Sequence, residues 1–522
     1  MTEEYDVAIV GGGHNALVAA AYLAKTGLRT ILLERLPHTG GAAISARPFP
    51  GVDALLSRYS YLVSLLPRQI IADLGLDLQL SSRATASYTP TRRDGRAAGL
   101  LVEHREGSAT ADSFRSLTGG DSEYAAWRDF YAEVFEVAVA LAPTLMRPLP
   151  RAADMRREVG ARTWEWLTGA PLGVELDRRF ADDTVRGVVA TDALIGTFAS
   201  MYDEQLVQNR CFLYHLIGNG TGEWRVPVGG MGAVTNSLSH AALAAGATIE
   251  TGAGVTRIEA DGSSAQTSYE QGGFERVVAS KWVLSGVASA VLDELLGRAS
   301  SVPRPQGSQL KINLVLKRLP RWKSGIEPAV AFAGTLHVAE EYSQLEAAYA
   351  AAAAGDLPDP LPGELYCHTL TDPTILAPDL VAQGYQTLTY FGVHTPPAVF
   401  AGGPDVVDMA VGRALDALDQ HLEEPIRDCV AVDSDGDLCL EAKTPLDIEA
   451  ALNMPGGHIF HGDLAWPWLD AGFEAVTAAD RWGVATGISN VFVCGSGAQR
   501  GGAVSGLGGH NAAMAVLESR SD

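Results

Sequence analysis

A chain of 522 residues, 47% apolar and 19% charged, is too long for one ordinary core and too apolar for disorder, so two domains are expected. Asp plus Glu number 62 against 39 Lys plus Arg, and the net charge of −23 repels phosphate backbones and argues against a nucleic-acid partner. Five scattered cysteines, Cys211, Cys367, Cys429, Cys439 and Cys494, form no Cys-x-x-Cys, which fits a reducing, cytoplasmic setting and speaks against a redox-active dithiol.

The first residues, "MTEEYDVAIV", hold neither a positive stretch nor a separate apolar segment, so no signal peptide is expected. No run approaches the roughly 20 apolar residues of a membrane span, although peripheral membrane contact stays open. Tyr5 to Val10 reads as a buried parallel strand, Asn15 to Lys25 as a helix apolar all round, Gly27 as its stop, and Leu28 to Glu34 as a second strand. Between strand and helix stands G-x-G-x-x-A: Gly11 for the tight turn, Gly13 for the approach of a pyrophosphate, Ala16 for close helix packing. The helix amino terminus adds N–H donors and partial positive charge. Glu34 ends the second strand about 20 residues later, where a carboxylate holds ribose hydroxyls.

A second glycine pair follows at Gly40 and Gly41. Together the two loops resemble the FAD-binding amino terminus of the glutathione-reductase-like flavoprotein superfamily. The resemblance implies an FAD site built from Gly11, Gly13, His14, Asn15, Ala16, Glu34, Arg35, Gly40, Gly41 and Ala42, with Glu34 on the adenosine ribose and Arg35 along the adenine.

Farther on, Ser122 to Met146 is helical in pattern. Trp164, Trp166, Phe198, Tyr202, Phe212 and Tyr214 are candidates for the wall of an apolar substrate tunnel, or for plain core. "KINLVLKRLP" (Lys311 to Pro320) reads as a strand and "LEAAYAAAAAGD" as a helix. "DSDGDL" (Asp433 to Leu438) lacks calcium-loop spacing, and His458 and His461 lack a third ligand, so no metal is expected. There is one dinucleotide fingerprint and no second, so electrons are expected to come from an organic substrate and leave to oxygen or a quinone.

The far end, "NVFVCGSGAQRGGAVSGLGGHNAAMAVLESR" (Asn490 to Arg520), is a strand, a glycine-rich segment and a closing helix. With "GGGHN" (Gly11 to Asn15), "VPVGGMGAV" (Val226 to Val234), "TGAGVTRIEADG" (Thr251 to Gly262) and "GGHIFHGDL" (Gly456 to Leu464), it resembles the phytoene dehydrogenase-related flavoproteins: carotenoid desaturases, carotenoid isomerases and retinol saturase. The resemblance implies that Val255 meets the adenine through its backbone. It also implies that Gly495, Ser496, Val504, Ser505 and Gly506 border the flavin. Relatives commonly read Gly-Thr-His-Pro-Gly-Gly-Gly where this chain has Gly497 to Ala503, which questions a carotenoid substrate. Arg500 in that stretch puts a permanent positive charge near the isoalloxazine, or makes a structural ion pair.

The expected architecture is α/β. A discontinuous Rossmann-like FAD-binding domain (1–105, 220–303, 440–522), with a parallel sheet, helices and a β-meander, is interleaved with an α+β substrate domain (106–219, 304–439). The expected activity is a desaturase or dehydrogenase passing hydride from a small apolar substrate to flavin N5, with His461 the candidate base and Arg500 beside it. A flavin amine or amino-acid oxidase making imine and peroxide, a redox-neutral isomerase and a non-catalytic flavoprotein are the alternatives.

Overall fold

The computed structural model describes residues 3–300 and 303–520. Residues 1–2 and 521–522, at the outer edges of the expected cofactor segments, and residues 301–302 lie outside the described residues. Two seven-stranded sheets organise the chain. Their strands, in chain order, are β1 (Glu3–Val10), β2 (Thr30–Glu34), β3 (Thr85–Arg93), β4 (Arg96–Glu103), β5 (Thr248–Thr251), β6 (Ala253–Ala260), β7 (Ala265–Gln271), β8 (Phe274–Ser285), β9 (Leu310–Leu316), β10 (Thr335–Val338), β11 (Gly363–Tyr366), β12 (Gln386–Gly392), β13 (Leu440–Lys443) and β14 (Val491–Val493).

The first sheet runs β6–β7–β8–β1–β2–β5, with β14 against β8. Pairs β14–β8, β8–β1, β1–β2 and β2–β5 are parallel, while β6–β7–β8 is an antiparallel meander. Apolar residues on both faces of β1 and β2 explain this choice, because a parallel sheet is covered on both sides. Val7, Ile9 and Leu32 face helices, including the first (His14–Lys25) and the last (Leu507–Ser519). Ala8, Ile31 and Leu33 lie instead under Ala253 and Tyr269 of the meander. Each large apolar side chain buried this way contributes about 1.5–3 kcal/mol.

The second sheet runs β13–β9–β12–β11–β10–β3–β4, antiparallel except for β10 beside β3. The expected segment boundaries therefore move. Strands β3 and β4, placed before residue 105 with the cofactor segments, and β13, placed after 440, belong to this other sheet. The β3–β4 hairpin docks on β10, and β13 pairs with β9, so long-range ladder bonds override chain proximity. Helices from Ser108 to Ile217 close one side around a core that includes Phe114, Phe130, Phe180 and Phe212. Among the described residues no helix is long and apolar enough to cross a membrane.

Chain start and chain end meet directly. A Cβ at Gly509 of the last helix would stand 1.8 Å from the Asn15 carbonyl oxygen of the first. The Asn15 side-chain amide donates to the Gly501 carbonyl (3.0 Å), and His14 Nε2–H donates to the Ala503 carbonyl (3.0 Å). Burial holds the His14 imidazole down to about 4, so it is neutral and its single N–H is committed to that bond. Gly509→Ala is expected to lower stability by about 1–3 kcal/mol or more, because packed backbone must separate. At Gly412, in the helix Pro404–Asp419, a Cβ meets nothing within 4 Å, so Gly412→Ala is expected to be neutral or to stabilise by up to about 1 kcal/mol. Denaturant unfolding of the two variants side by side checks the contrast.

Candidate functional site

One cavity of about 500 Å³ lies between the two sheets. At one end it takes in the carboxyl ends of four parallel strands: Gly11 after β1, Glu34 at the end of β2, Gly286 after β8, and Gly495 two residues past β14. That is where ligands settle in open parallel sheets, since the loops diverge there and helix amino termini point inward. Gly11 turns the chain with φ +87°, a conformation costly for other residues. The Gly12 N–H donates to Glu34 Oε2 (2.6 Å) and the Leu36 N–H to Oε1 (2.7 Å), which locks the carboxylate on the wall. A Cβ on Gly13 would meet nothing within 4 Å, so bare backbone opens onto the cavity at the start of the helix. The second glycine loop lies on the first: the Gly40 N–H reaches the Gly12 carbonyl (2.8 Å), and Gly41 abuts the Gly13 Cα.

Of the sequence-derived cofactor residues, Gly11, Gly13, His14, Asn15, Ala16, Glu34, Gly41, Ala42, Gly495, Ser496 and Val504 line this one cavity. The other five do not. Arg35 is exposed and donates to the Ala451 carbonyl (3.0 Å). Gly40 is packed against Ile44 and Thr235. Val255 pairs with Tyr269 inside the meander. Ser505 and Gly506 are buried, and Gly506 caps the last helix against Val18. Their glycines and small side chains serve packing rather than the wall. Gly286, Val287 and Ala288 join the wall although the sequence reading passed over them. A glycine following the apolar strand "KWVLS" was the available sign.

The two catalytic candidates part company. His461 is on the wall, held at φ +65°, and its buried Nδ1 has no protein partner. Burial, then the neighbouring His458 and His14, push it down to about 4, so it is neutral and too weak a base to keep a proton at neutral pH. Arg500 is a correction. It is 1% exposed, off the cavity wall, and donates from Nη1 to the Thr144 carbonyl (2.7 Å), while Nε and Nη2 have no partner. No carboxylate among the described residues pairs with it, so neither the flavin-side nor the ion-pair role holds. Burial lowers it to about 10.

Of the two readings of the mid-chain aromatics, core rather than tunnel wall is the one that fits the structure. Trp166, Phe212 and Tyr214 sit in the helical core, Tyr202 is largely exposed, and Trp164 and Phe198 pack on Trp468 and Tyr349. Tyr59, Tyr61, Trp127, Tyr131, Tyr366 and Phe391 are on the wall instead.

The opposite wall is a face of the second sheet. Lys311 on β9 is directly across from Phe391 on β12, Phe391 from Glu364 on β11, and Glu364 from His337 on β10. Cross-strand partners share a face, so these four make one row, and all four line the cavity. Lys311 is 1% exposed; its amine donates to the carbonyls of Ser57 (2.7 Å) and Ser60 (3.0 Å) and lies 4.9 Å from the Phe391 ring centre. Burial holds that amine well below the usual lysine range. Lys317, just past the end of β9, is exposed. At the other end of the row His337 Nδ1 meets Glu340 Oε2 (2.6 Å) and stands 3.9 Å from Glu364 Oε1. Ligand-capable atoms of His337, Glu340 and Glu364 lie within 4.8 Å of one another. They come from two separate segments, residues 337–340 and strand β11 (Gly363–Tyr366).

Residues 9–68 match the NAD(P)-binding Rossmann-like domain model. The chain is 48% identical over 522 residues to the uncharacterized protein Rv0897c of Mycobacterium tuberculosis, covering 98% of this chain and 97% of that one. It is 29% identical over 570 residues to the pyridine nucleotide-disulfide oxidoreductase domain-containing protein 2 of Rattus norvegicus, covering 98% and 93%. The structure of cyclohexylamine oxidase from Brevibacterium oxydans superposes with a TM-score of 0.56 at 15% identity, over 99% of this chain and 100% of the other, which is a likeness of fold.

Burial raises the Glu364 carboxyl to about 8, so the native state keeps a proton that the unfolded chain releases near 4.5. Its stabilising contribution is complete below pH 4.5 and is lost as pH rises to 8. The melting temperature of Glu364→Gln relative to the parent is therefore expected to climb between pH 5 and pH 8 and then level off. Paired thermal melts across that range check the sign.

Proposed function

As the chain belongs to the family of the mycobacterial protein Rv0897c and shares the fold of cyclohexylamine oxidase, we propose that it is an FAD-dependent oxidoreductase that takes hydride from a carbon of an organic substrate. The observation that carries this reading is the single cavity shared by the glycine cradle, the carboxy-terminal loop and the Lys311 row. The residues present fit the cofactor. Gly13 leaves space that any Cβ would fill, Glu34 is fixed at the strand end, and two buried polar atoms on the wall, Asn15 Oδ1 and His461 Nδ1, lack protein partners. Gly11, Gly13, Glu34, Gly41 and Ala42 would hold the nucleotide half, and His14, Asn15, Gly495, Ser496 and Val504 the flavin half. Bound there, the flavin supplies a two-electron acceptor for hydride, returning the electrons to oxygen or a quinone.

The chain's own residues bind, orient and exclude water. Tyr61 packs on Tyr366 (ring centres 4.7 Å), and with Phe391 they give the substrate side an apolar, dry floor. Lys311 is tied to the cofactor side through Ser60, whose hydroxyl donates to the Ala42 carbonyl (3.0 Å). Its amine donates to two carbonyls, and burial favours its uncharged form, whose lone pair can accept the substrate's proton directly or through water. That amine favours a second reading, oxidation of a C–N bond to an imine with peroxide as the by-product. Amines that bleach the flavin anaerobically and give peroxide in air would decide for it; hydrocarbons that bleach it would decide for C–C desaturation. A yellow protein that no substrate bleaches would leave the isomerase or the non-catalytic flavoprotein.

Two variants test the reading. A Cβ added at Gly13 meets no protein atom within 4 Å, so Gly13→Val is expected to fold yet purify colourless; an unchanged flavin spectrum refutes the cradle. Lys311→Met is expected to keep the flavin and slow its reduction by substrate roughly 10²-fold, measured by stopped-flow absorbance.

A further inference from the structure

The end of the cavity away from the glycine cradle has a charge pattern of its own, built on strands β10 and β11, the segments flanking β10 and β3, and a helix terminus. Glu364, 3% exposed, accepts the Tyr366 hydroxyl on Oε2 and has no hydrogen-bond donor on Oε1 among the described residues. Glu340, 1% exposed, accepts from Thr191 (3.2 Å) and contacts His337 on Oε2, while its buried Oε1 has no partner at all. Asp192 lines the cavity as the C-cap of the helix Asp183–Thr191, and nothing donates to its carboxylate among the described residues. A helix carboxyl end is the wrong place for a lone negative charge unless a cation comes to it. Arg83 is on the same wall; its Nη1 donates to Thr335 (2.9 Å), it stands 5.7 Å over the Tyr366 ring, and its Nε is unpartnered.

The charges can be matched. His337 and Glu340 contact each other, and burial favours the uncharged form of both. Arg83 then faces two carboxylates, Asp192 and Glu364, and one of them is in excess. In the empty cavity the excess is hidden by a proton, since burial raises Asp192 to about 6 and Glu364 to about 8. One surplus carboxylate calls for a monocation. A divalent metal would be left overcharged beside the Arg83 guanidinium.

The row across the sheet says where that cation sits. Glu364 is two strands from Lys311, roughly 10 Å at about 4.8 Å per strand, with the Phe391 ring between them. We propose that this chamber is a head-group site for a protonated nitrogen of the substrate, an alkylammonium group held by Glu364 and Asp192 while an apolar segment crosses Phe391 toward Lys311. The inference rests on reading the cavity as the substrate's. It makes the charged nitrogen a handle, distinct from the carbon that is oxidised near the cofactor side.

The test uses the protein as purified and four probes by calorimetry: n-octylammonium, 1-octanol, octanoate and manganese(II) chloride. Octylammonium is expected to bind at least tenfold more tightly than octanol. In Glu364→Gln and in Asp192→Asn, each first checked for a cooperative melt well above the assay temperature, that ratio is expected to fall toward one with octanol affinity retained. Equal binding of ammonium and alcohol, tighter binding of octanoate, manganese binding in place of ammonium, or a ratio that survives in both variants overturns the proposal. Calorimetry needs no colour. A colourless protein that still prefers ammonium refutes the flavin and spares the head-group site, whereas a yellow protein without the preference does the reverse.

Discussion

The last helix can lie against the first only because Gly509 carries no side chain: a Cβ there would stand 1.8 Å from the Asn15 carbonyl oxygen. This contact brings two segments nearly 500 residues apart onto one strand-end crevice, and much of the candidate site follows from it. The clasp is polar as well as close-packed. Asn15 donates to the Gly501 carbonyl and neutral His14 to Ala503, so buried backbone acceptors in a glycine-rich loop are satisfied by the fingerprint helix itself. Gly508 and Gly495 continue the same economy of volume, each standing where a Cβ would collide with the next segment's backbone. Glycine in this region is therefore used mainly for approach between layers rather than for mobility.

The second sheet turns the crevice into a closed cavity and grades it electrically. Its inward row passes from the buried amine of Lys311, over the Phe391 ring, to a group of carboxyls and one imidazole. Burying an amine or a carboxyl without a counter-ion is unfavourable, and burial shifts both ends toward the uncharged form, lowering Lys311 and raising Glu364. A site poised in this way is sensitive to whatever charge a ligand brings. That sensitivity ties the acid end of the chamber to substrate choice and the lysine end to proton movement.

Some of this was legible in the residues alone. The strand, glycines, helix and acid of residues 5–34 form a local unit whose meaning depends on near neighbours, and eleven of the sixteen expected cofactor residues stand on the cavity wall. Arg500 misled because its motif neighbours suggested the flavin, whereas its long side chain turns away to the Thr144 carbonyl between layers. The mid-chain aromatics stayed open between core and tunnel because helical spacing says that a ring is buried, but not whether it is buried against protein or against a cavity. Segment boundaries slipped at β3, β4 and β13 because ladder partners hundreds of residues away are not written in local pattern.

What the sequence by itself determined is the mixed α/β class and the dinucleotide cradle at its amino terminus, since turn chemistry, helix amino terminus and strand-end acid are short-range properties. Tertiary structure alone decided which lysine of the 311–320 strand faces the cavity, that Glu364, His337 and Asp192 converge, and that the last helix closes on the first. Those facts depend on strand register and on backbone approach between distant segments, and a one-residue slip in register would send Lys311 and Glu364 to the opposite face of the sheet.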